Sequence, residues 1–524
     1  MPSILSEVTK RTKDYPNKTM YSFLDSQGNI TESYTYQSFE DRTKAIASYL
    51  HTHYSLKKGD RVLLAYPPGL EMITAFFACA RLGIIPVPVY SPSVHGMNAS
   101  VLKMNFIAQD CEANAVFTDS SFFWSFKINL KKNKNRLSEL FWINTTEISH
   151  SNMAPPPEVH NDILFLQYTS GSTSNPKGVV VTHHNILQNC KNVADHMPIG
   201  VSWLPQYHDM GLIGYYLFFA IKGGTTYGFS PSDFIKRPAL WLETISKYHA
   251  TASSAPNFAF EYCLLPGKIS DDVLKKIDLS SLKFLMTAAE AIKPSTYQNF
   301  KEKFSRYGLK PKSFFAAYGL AEFTLAVTNY GRTSFCFNSE LLLHNKAQAL
   351  SEEDDKSKST SIMSCGKPLA NTCLKIVDPH HENNELESGR VGEIWLQGES
   401  KCDGYWNKKK LSQQVFEAEI TGTNQNNKWL RTGDLGFIYH EELFVCGRLK
   451  DLIIIRGNNY YPHDIEHLVE SDPLIRVGCV AAFSVSKSGN ESVVVVAGIK
   501  NRRKIPDATT IRDRISHLLG ISLS

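Results

Sequence analysis

YTSGSTSNPKG, Tyr168 to Gly178, packs two glycines, hydroxyl side chains and one lysine into a single short run. Glycines, Ser/Thr hydroxyls and one lysine follow the apolar run DILFLQY and precede GVVVTHHNILQNCKNV. The first run reads as a strand. The second reads as a short strand passing into a helix with Ile186, Leu187, Cys190 and Val193 at helical spacing. The loop therefore joins two strands. A Gly- and Ser/Thr-rich turn can aim amides and hydroxyls at phosphate oxygens, and Lys177 can neutralise the charge. It is not a nucleotide loop of the Walker type, in which glycine precedes the lysine and Ser/Thr follows it; here Pro176 precedes and Gly178 follows. Taken alone, the loop supports two readings, a phosphate cradle and an ordinary surface turn.

Working outward, short apolar runs alternate with helical or turn-rich stretches. VLLAY (Val62 to Tyr66) is broken by Pro67 and Pro68, a helical stretch runs to Leu82, and IIPVPVY resumes extended structure. ANAVFTD, LFWIN, DILFLQY, GVSWL and LKFLM continue the rhythm, which predicts an α/β fold of layered sheets and helices. After about residue 365 the texture becomes strand-rich, with CLKIVDP, GEIWLQG and EELFVCGR. A domain boundary is predicted near Gly447 to Lys450, dividing residues 1–447 from 448–524. Residues 332–364, between Gly331 and Cys365, read as a surface insertion whose SEEDDKSKSTS stretch is a mobile tail.

Composition narrows the classes. With 524 residues, 42% hydrophobic and 20% charged, the chain is long enough for at least two globular domains. The formal net charge is only +5, and the cluster of Lys131, Lys132, Lys134 and Arg136 reads as solvated surface, so no nucleic-acid partner is expected. Ten cysteines without a CxxC pair suit reduced thiols in the cytoplasm. The longest apolar run, Ala75 to Tyr90, is interrupted by Arg81, Gly83, Pro86 and Pro88, so neither a signal peptide nor a membrane span is expected.

Three further segments stand in order behind the loop: YGLAE (Tyr318 to Glu322), TGD (Thr432 to Asp434) and GRLKDLIIIRGNNYYPHDIE (Gly447 to Glu466). With them the chain resembles, over nearly its whole length, the adenylate-forming superfamily of acyl-CoA synthetases, luciferases and nonribosomal peptide adenylation domains. WLPQYHDMGLIG (Trp203 to Gly214) and the insertion after YGLAE are similar to the fatty acyl-AMP ligases within it. The resemblance implies a large N-terminal adenylation domain of layered α/β subdomains plus a small β-strand-rich subdomain. A small mobile α+β C-terminal domain would follow, hinged at Lys450. That domain normally continues several dozen residues past ISLS and carries a lysine near its end, which this sequence does not reach.

The resemblance also implies roles. Thr169, Ser170, Gly171, Ser172, Thr173 and Lys177 would cradle the β- and γ-phosphates of ATP, and Glu322 would bind Mg2+. Ala288, Ala289 and Glu290, with Ala317, Tyr318, Gly319 and Leu320, would line the adenine pocket, the small neighbours of Tyr318 letting the base approach its ring. Asp434 and Arg448 would hold the ribose. Where the wider superfamily places a threonine before the glutamate, this chain has Ala321, as expected among fatty acyl-AMP ligases, and His208 becomes the candidate for the α-phosphate contact. GLIGYYLFFAI can line an acyl pocket or form a core helix; Met210, Gly214, Tyr227, Ser253 and Pro256 are candidate walls. The resemblance implies a reaction that joins a medium- or long-chain fatty acid to AMP with loss of pyrophosphate, for delivery to the phosphopantetheine of an acyl carrier protein of a polyketide or nonribosomal peptide synthase. Two other readings stay open: a fatty acyl-CoA synthetase, and a nucleotide- or acyl-AMP-binding protein without turnover.

Overall fold

The computed structural model describes residues 2–90, 97–123, 135–148, 156–169, 175–193, 198–351, 353–422, 427–455, 458–487, 490–501 and 504–519. Its centre is a seven-stranded sheet in the order Phe314–Ala316, Phe284–Thr287, Ala252–Ala255, Ile199–Ser202, Thr225–Phe229, Thr19–Leu24 and Ile30–Thr35. All neighbours run parallel except the last pair, which is antiparallel. Strands such as ASSA and FFA are buried at every residue, as expected of a parallel sheet covered on both faces. A second, four-stranded parallel sheet holds Ile85–Pro88, Arg61–Leu64, Ala115–Thr118 and Phe141–Asn144. The helices Tyr36–His53 and Glu71–Arg81 pack together, with Phe39 edge-on to Phe77 at 5.1 Å. Every residue from Met72 to Arg81 is buried, which is why that segment is apolar apart from Thr74 and Arg81.

The opening loop does join two strands. Ile163–Tyr168 and Gly178–Thr182 pair antiparallel with Tyr168 opposite Gly178, and the Thr169 N–H donates to the Lys177 carbonyl at 3.1 Å. Helix His183–Val193 follows. The strand-rich portion is an antiparallel sheet of Thr372–Val377, Gly392–Gly398, Leu430–Tyr439 and Glu442–Arg448, in which Asp434 faces Arg448 across the ladder.

The acidic stretch expected as a mobile tail is built differently. Ser359–Met363 pairs antiparallel with Ser334–Asn338, and the carboxylates of Asp354 and Asp355 accept from the N–H groups of Ser351 and Ser357. Short polar side chains folding back on their own backbone make this a stapled turn. Within the same insertion, Phe337 and Leu342 join the core formed by Leu435, Phe437 and Phe444.

Beyond Arg448 come the hairpin Ile453–Ile455/Asn458–Tyr460, helix Pro462–Glu470, the hairpin Ile475–Lys487/Asn490–Ile499, and helix Ala508–Leu519. Tyr461 of this segment packs into the core of Leu435, Phe437 and Phe444, the Leu449 N–H donates to the Gly433 carbonyl at 2.8 Å, and two side-chain contacts join it to the rest among the described residues. Asn459 Nδ2 donates to Asn345 Oδ1 of the insertion at 3.1 Å, with Leu343 packed against the segment's own core. Lys293 Nζ lies 3.0 Å from Glu470 and 3.2 Å from Glu261. Among the described residues no helix is long and apolar enough to cross a membrane, and all ten cysteines are free thiols.

Candidate functional site

A cavity of about 570 Å³ opens where the C-terminal ends of the parallel strands meet the loop hairpin, the strand-rich sheet and the first residues after Arg448. Crevices of this kind, outside the carboxyl ends of parallel strands, are the usual ligand positions of open α/β sheets. Its polar side carries Thr169, Lys177, His208, Tyr318, Glu322, Asp434, Arg448 and Lys450. Its apolar side is supplied largely by one helical segment and two strands, including Met210, Ile213, Gly214, Phe218, Ser253 and Met286. That helical segment is irregular: Asp209–Gly211 is α, Leu212–Leu217 is π, and Phe218–Lys222 is α again. The wider π turn presents Ile213, Gly214 and Tyr215 together on the cavity wall, in keeping with the frequent placing of such bulges at binding sites.

On the polar side the groups are tied together. Tyr318 Oη donates to Asp434 Oδ2 at 2.6 Å, and Arg448 Nε lies 3.4 Å from Asp434 Oδ1. Burial holds the Asp434 carboxyl up at about 6, against the pull of the Tyr318 hydroxyl and the Arg448 charge. Gly433 turns the chain here at φ +73°, a left-handed geometry that favours glycine, and donates its N–H to Glu393 Oε1 at 3.0 Å. Glu393 is buried and also accepts from Trp395 Nε1 and the Arg431 guanidinium. It is the anchor of the TGD turn.

Glu322 accepts from Tyr405 Oη at 2.8 Å. Burial raises its carboxyl, and the Tyr405 hydrogen bond opposes the rise. Lys177 Nζ sits 5.0 Å from the centroid of the same tyrosine ring. Burial, then the Lys450 ammonium, depresses the Lys177 amine, while the Glu322 carboxylate supports its charge. His208 Nδ1 lies 2.6 Å from Asp209 Oδ1, and that carboxylate raises the imidazole above its ordinary range despite burial.

The cavity thus collects Thr169, Lys177, His208, Met210, Gly214, Ser253, Ala288, Ala289, Ala317, Tyr318, Gly319, Leu320, Glu322, Asp434, Arg448 and Lys450. Ser170, Gly171, Ser172 and Thr173 lie outside the described residues. Three expected neighbours are not on its wall. Glu290 turns to accept from the Phe258 N–H, Tyr227 stacks on Tyr248 at 3.8 Å, and Pro256 caps the helix Asn257–Leu264. The smallness of Gly319 has a reason within the chain: a Cβ there would stand 2.0 Å from the Leu325 carbonyl oxygen. Tyr405, Glu393 and Arg431 line the cavity without having been expected. For Glu393 the one local signal is a carboxylate at the head of the apolar run IWL in the strand GEIWLQG.

The arrangement pairs cations and a buried carboxylate with an adjoining apolar wall, chemistry suited to an anionic head group bearing a long apolar tail. Known proteins agree. The AMP-binding enzyme family matches residues 8–406. The medium-chain-fatty-acid–[acyl-carrier-protein] ligase JamA of Moorena producens (strain JHB) is 34% identical over 493 residues, 92% of this chain and 82% of that protein. The long-chain-fatty-acid–AMP ligase FadD26 of Mycobacterium marinum (strain ATCC BAA-535 / M) is 33% identical over 525 residues, 96% of this chain and 87% of that one. The crystal structure of a fatty acyl-adenylate ligase from L. pneumophila, in complex with acyl adenylate and pyrophosphate, matches with a TM-score of 0.78 at 34% identity, covering 98% of this chain and 89% of that one. The chain belongs to the AMP-binding enzyme family, in its fatty acyl-AMP ligase branch.

Proposed function

We propose that the protein activates a medium- or long-chain fatty acid with ATP to give an acyl-adenylate and pyrophosphate, then passes the acyl group to the phosphopantetheine arm of an acyl carrier protein. The observation that carries this reading is the single cavity joining Lys177, Glu322, Asp434 and Arg448 to the apolar wall of Ile213, Phe218 and Met286. A carboxylate attacking the α-phosphate brings two anions together, so charge must be neutralised and the attack aligned. Lys177, at the foot of the Gly- and Ser-rich loop, takes the β- and γ-phosphates with Thr169 and with the loop residues Ser170, Gly171, Ser172 and Thr173. Asp434 accepts from the ribose hydroxyls beside Arg448. Ala288, Ala289, Ala317 and Gly319 leave room for adenine against Tyr318. His208, its charge supported by Asp209, faces the α-phosphate in place of the hydroxyl that Ala321 lacks.

The donor set fits Mg2+. Glu322 offers a hard carboxylate oxygen, and the described residues contain no group of three or more His, Cys, Asp or Glu side chains that would form a cage. One carboxylate shared with substrate phosphates is the usual way Mg2+ is held. When bound, the ion would neutralise charge on the phosphate oxygens.

JamA and FadD26 support an acyl carrier protein as acceptor and an AMP-stage product. The insertion supports the same choice, since Asn345 and Leu343 brace the segment after Arg448, and the movement about Lys450 that admits coenzyme A would have to break that contact. The ten free thiols fit the cytoplasm. The test is incubation with ATP, Mg2+, dodecanoate and either coenzyme A or a phosphopantetheinylated carrier protein. Pyrophosphate release that depends on fatty acid, with acyl-adenylate and no rapid acyl-CoA, is expected. Rapid acyl-CoA formation overturns the acceptor, and absence of pyrophosphate release overturns catalysis.

A further inference from the structure

The segment CDGYW, Cys402 to Trp406, belongs to none of the motifs that carry the family likeness, yet it bridges two of them. The Cys402 N–H donates to the Glu322 carbonyl at 3.0 Å, which ties the segment to YGLAE. The Val180 N–H donates to the Gly404 carbonyl at 2.9 Å and the Trp406 N–H to the Gly178 carbonyl at 2.8 Å, which ties it to the strand leaving the loop. Its far end is fastened as well. Lys408 and the Tyr168 hydroxyl share the Asp110 carboxylate, and Arg61 lies over the Trp406 ring at 5.4 Å. Between these anchors Tyr405 is 7% exposed and faces the cavity. Its ring stands 5.0 Å from Lys177 Nζ, and its hydroxyl donates to Glu322 Oε1 at 2.8 Å.

We propose that Tyr405 is a positioning residue, which sets the Lys177 ammonium and the Glu322 carboxylate at a fixed separation before ATP and Mg2+ arrive. This rests on the catalytic reading above. The two ends of the side chain act on different partners. The ring holds the cation by its face, and the hydroxyl fixes one oxygen of the carboxylate, as outer hydrogen bonds commonly do for metal-ligating groups.

The two functions separate by substitution. Tyr405→Phe keeps the ring and loses the hydroxyl; Tyr405→Leu loses both. In fatty-acid-dependent pyrophosphate release, Tyr405→Phe is expected to raise the half-saturating Mg2+ concentration about tenfold or more, while the KM for ATP at saturating Mg2+ stays near wild type. Calorimetry with α,β-methylene-ATP gives a readout independent of turnover. Tyr405→Phe should retain metal-free affinity and lose most of the gain that Mg2+ brings, whereas Tyr405→Leu should also bind the metal-free analogue roughly fivefold more weakly. Both variants should bind dodecanoyl-sulfamoyl-adenosine, which lacks the β- and γ-phosphates, as the wild type does. A wild-type Mg2+ requirement in Tyr405→Phe overturns the proposal, and so does loss of the sulfamoyl ligand in that variant, which would make Tyr405 a support of the whole cavity. If Tyr405→Leu does not fold, Tyr405→Phe decides. Absence of pyrophosphate release by the wild type defeats the catalytic reading and leaves the calorimetric comparison to judge Tyr405.

Discussion

Asp434→Asn should make the nucleotide-free protein more stable while weakening its hold on nucleotide. The Asp434 side chain is only 15% exposed, and burial lifts its carboxyl from the ordinary 3.8 to about 6. Each pKa unit corresponds to roughly 1.4 kcal/mol, so above pH 6 the fold bears about 3 kcal/mol for keeping this carboxylate charged. The sign follows from the direction. A carboxyl raised in the folded state destabilises the fold above pH 6; the cost is relieved as pH falls through 6 and is gone below the ordinary value. At pH 5 about half remains. Asparagine is close in shape and still accepts from Tyr318 Oη. The weak pairing with Arg448, whose side chain is 60% exposed at 3.4 Å, already lowers that cost, so the figure is net of it. A gain of about 3 kcal/mol over a cooperative unit of roughly 400 residues raises Tm by about 3–4 °C. Loss of a charged acceptor for the ribose should cost about 1.5–3 kcal/mol in AMP affinity. Scanning calorimetry at pH 8 and pH 5, with and without AMP, measures both. An Asp434→Asn protein less stable than wild type at pH 8 without nucleotide, or a stability gap as large at pH 5 as at pH 8, refutes the reasoning.

Two further outcomes are expected. Lys177→Ala should lower kcat/KM for ATP in pyrophosphate release by about 10- to 100-fold, the worth of one charged hydrogen bond to phosphate, with little change in Tm; unchanged kinetics would show that the loop lysine does not meet ATP. His183, 5% exposed, accepts the Ile4 N–H on Nδ1 at 3.2 Å, and burial lowers its imidazole to about 4. Its contribution is therefore present above about pH 6.5 and is lost as pH falls through 4, about 3 kcal/mol in all. His183→Gln should flatten the fall of Tm across that window, and an unchanged slope refutes the assignment.

What could be read from the sequence is what local pattern encodes. The hairpin around Tyr168 to Gly178 was legible because two apolar runs flank a turn-forming loop, and the parallel strands were legible because burial on both faces leaves short continuous apolar runs. Tyr405 was not, because its partners Lys177 and Glu322 lie 228 and 83 positions away and nothing within CDGYW marks the ring as special. Ser359–Met363 was hidden by its neighbours: charges that look disordering in composition become caps once Asp354 and Asp355 fold onto adjacent N–H groups. Gly319 lines the cavity beside Tyr318, and its own chain gives it a second reason to be small that no local pattern shows, the Leu325 carbonyl pressed against the position of a side chain.

Lys293 holds one carboxylate on each side of a joint, Glu261 on the sheet-bearing body and Glu470 on the segment after Arg448. If that segment moves away, the ammonium is not stranded, because Glu261 remains, itself supported by Thr296 Oγ1 at 2.9 Å. Glu470 is not stranded either, since its other oxygen keeps the Gly478 N–H at 2.6 Å. A joint fastened by a single ion pair would expose two unmatched charges each time it opened. This one leaves each charge with a partner of its own, so parting the two sides strands neither the ammonium nor the carboxylate.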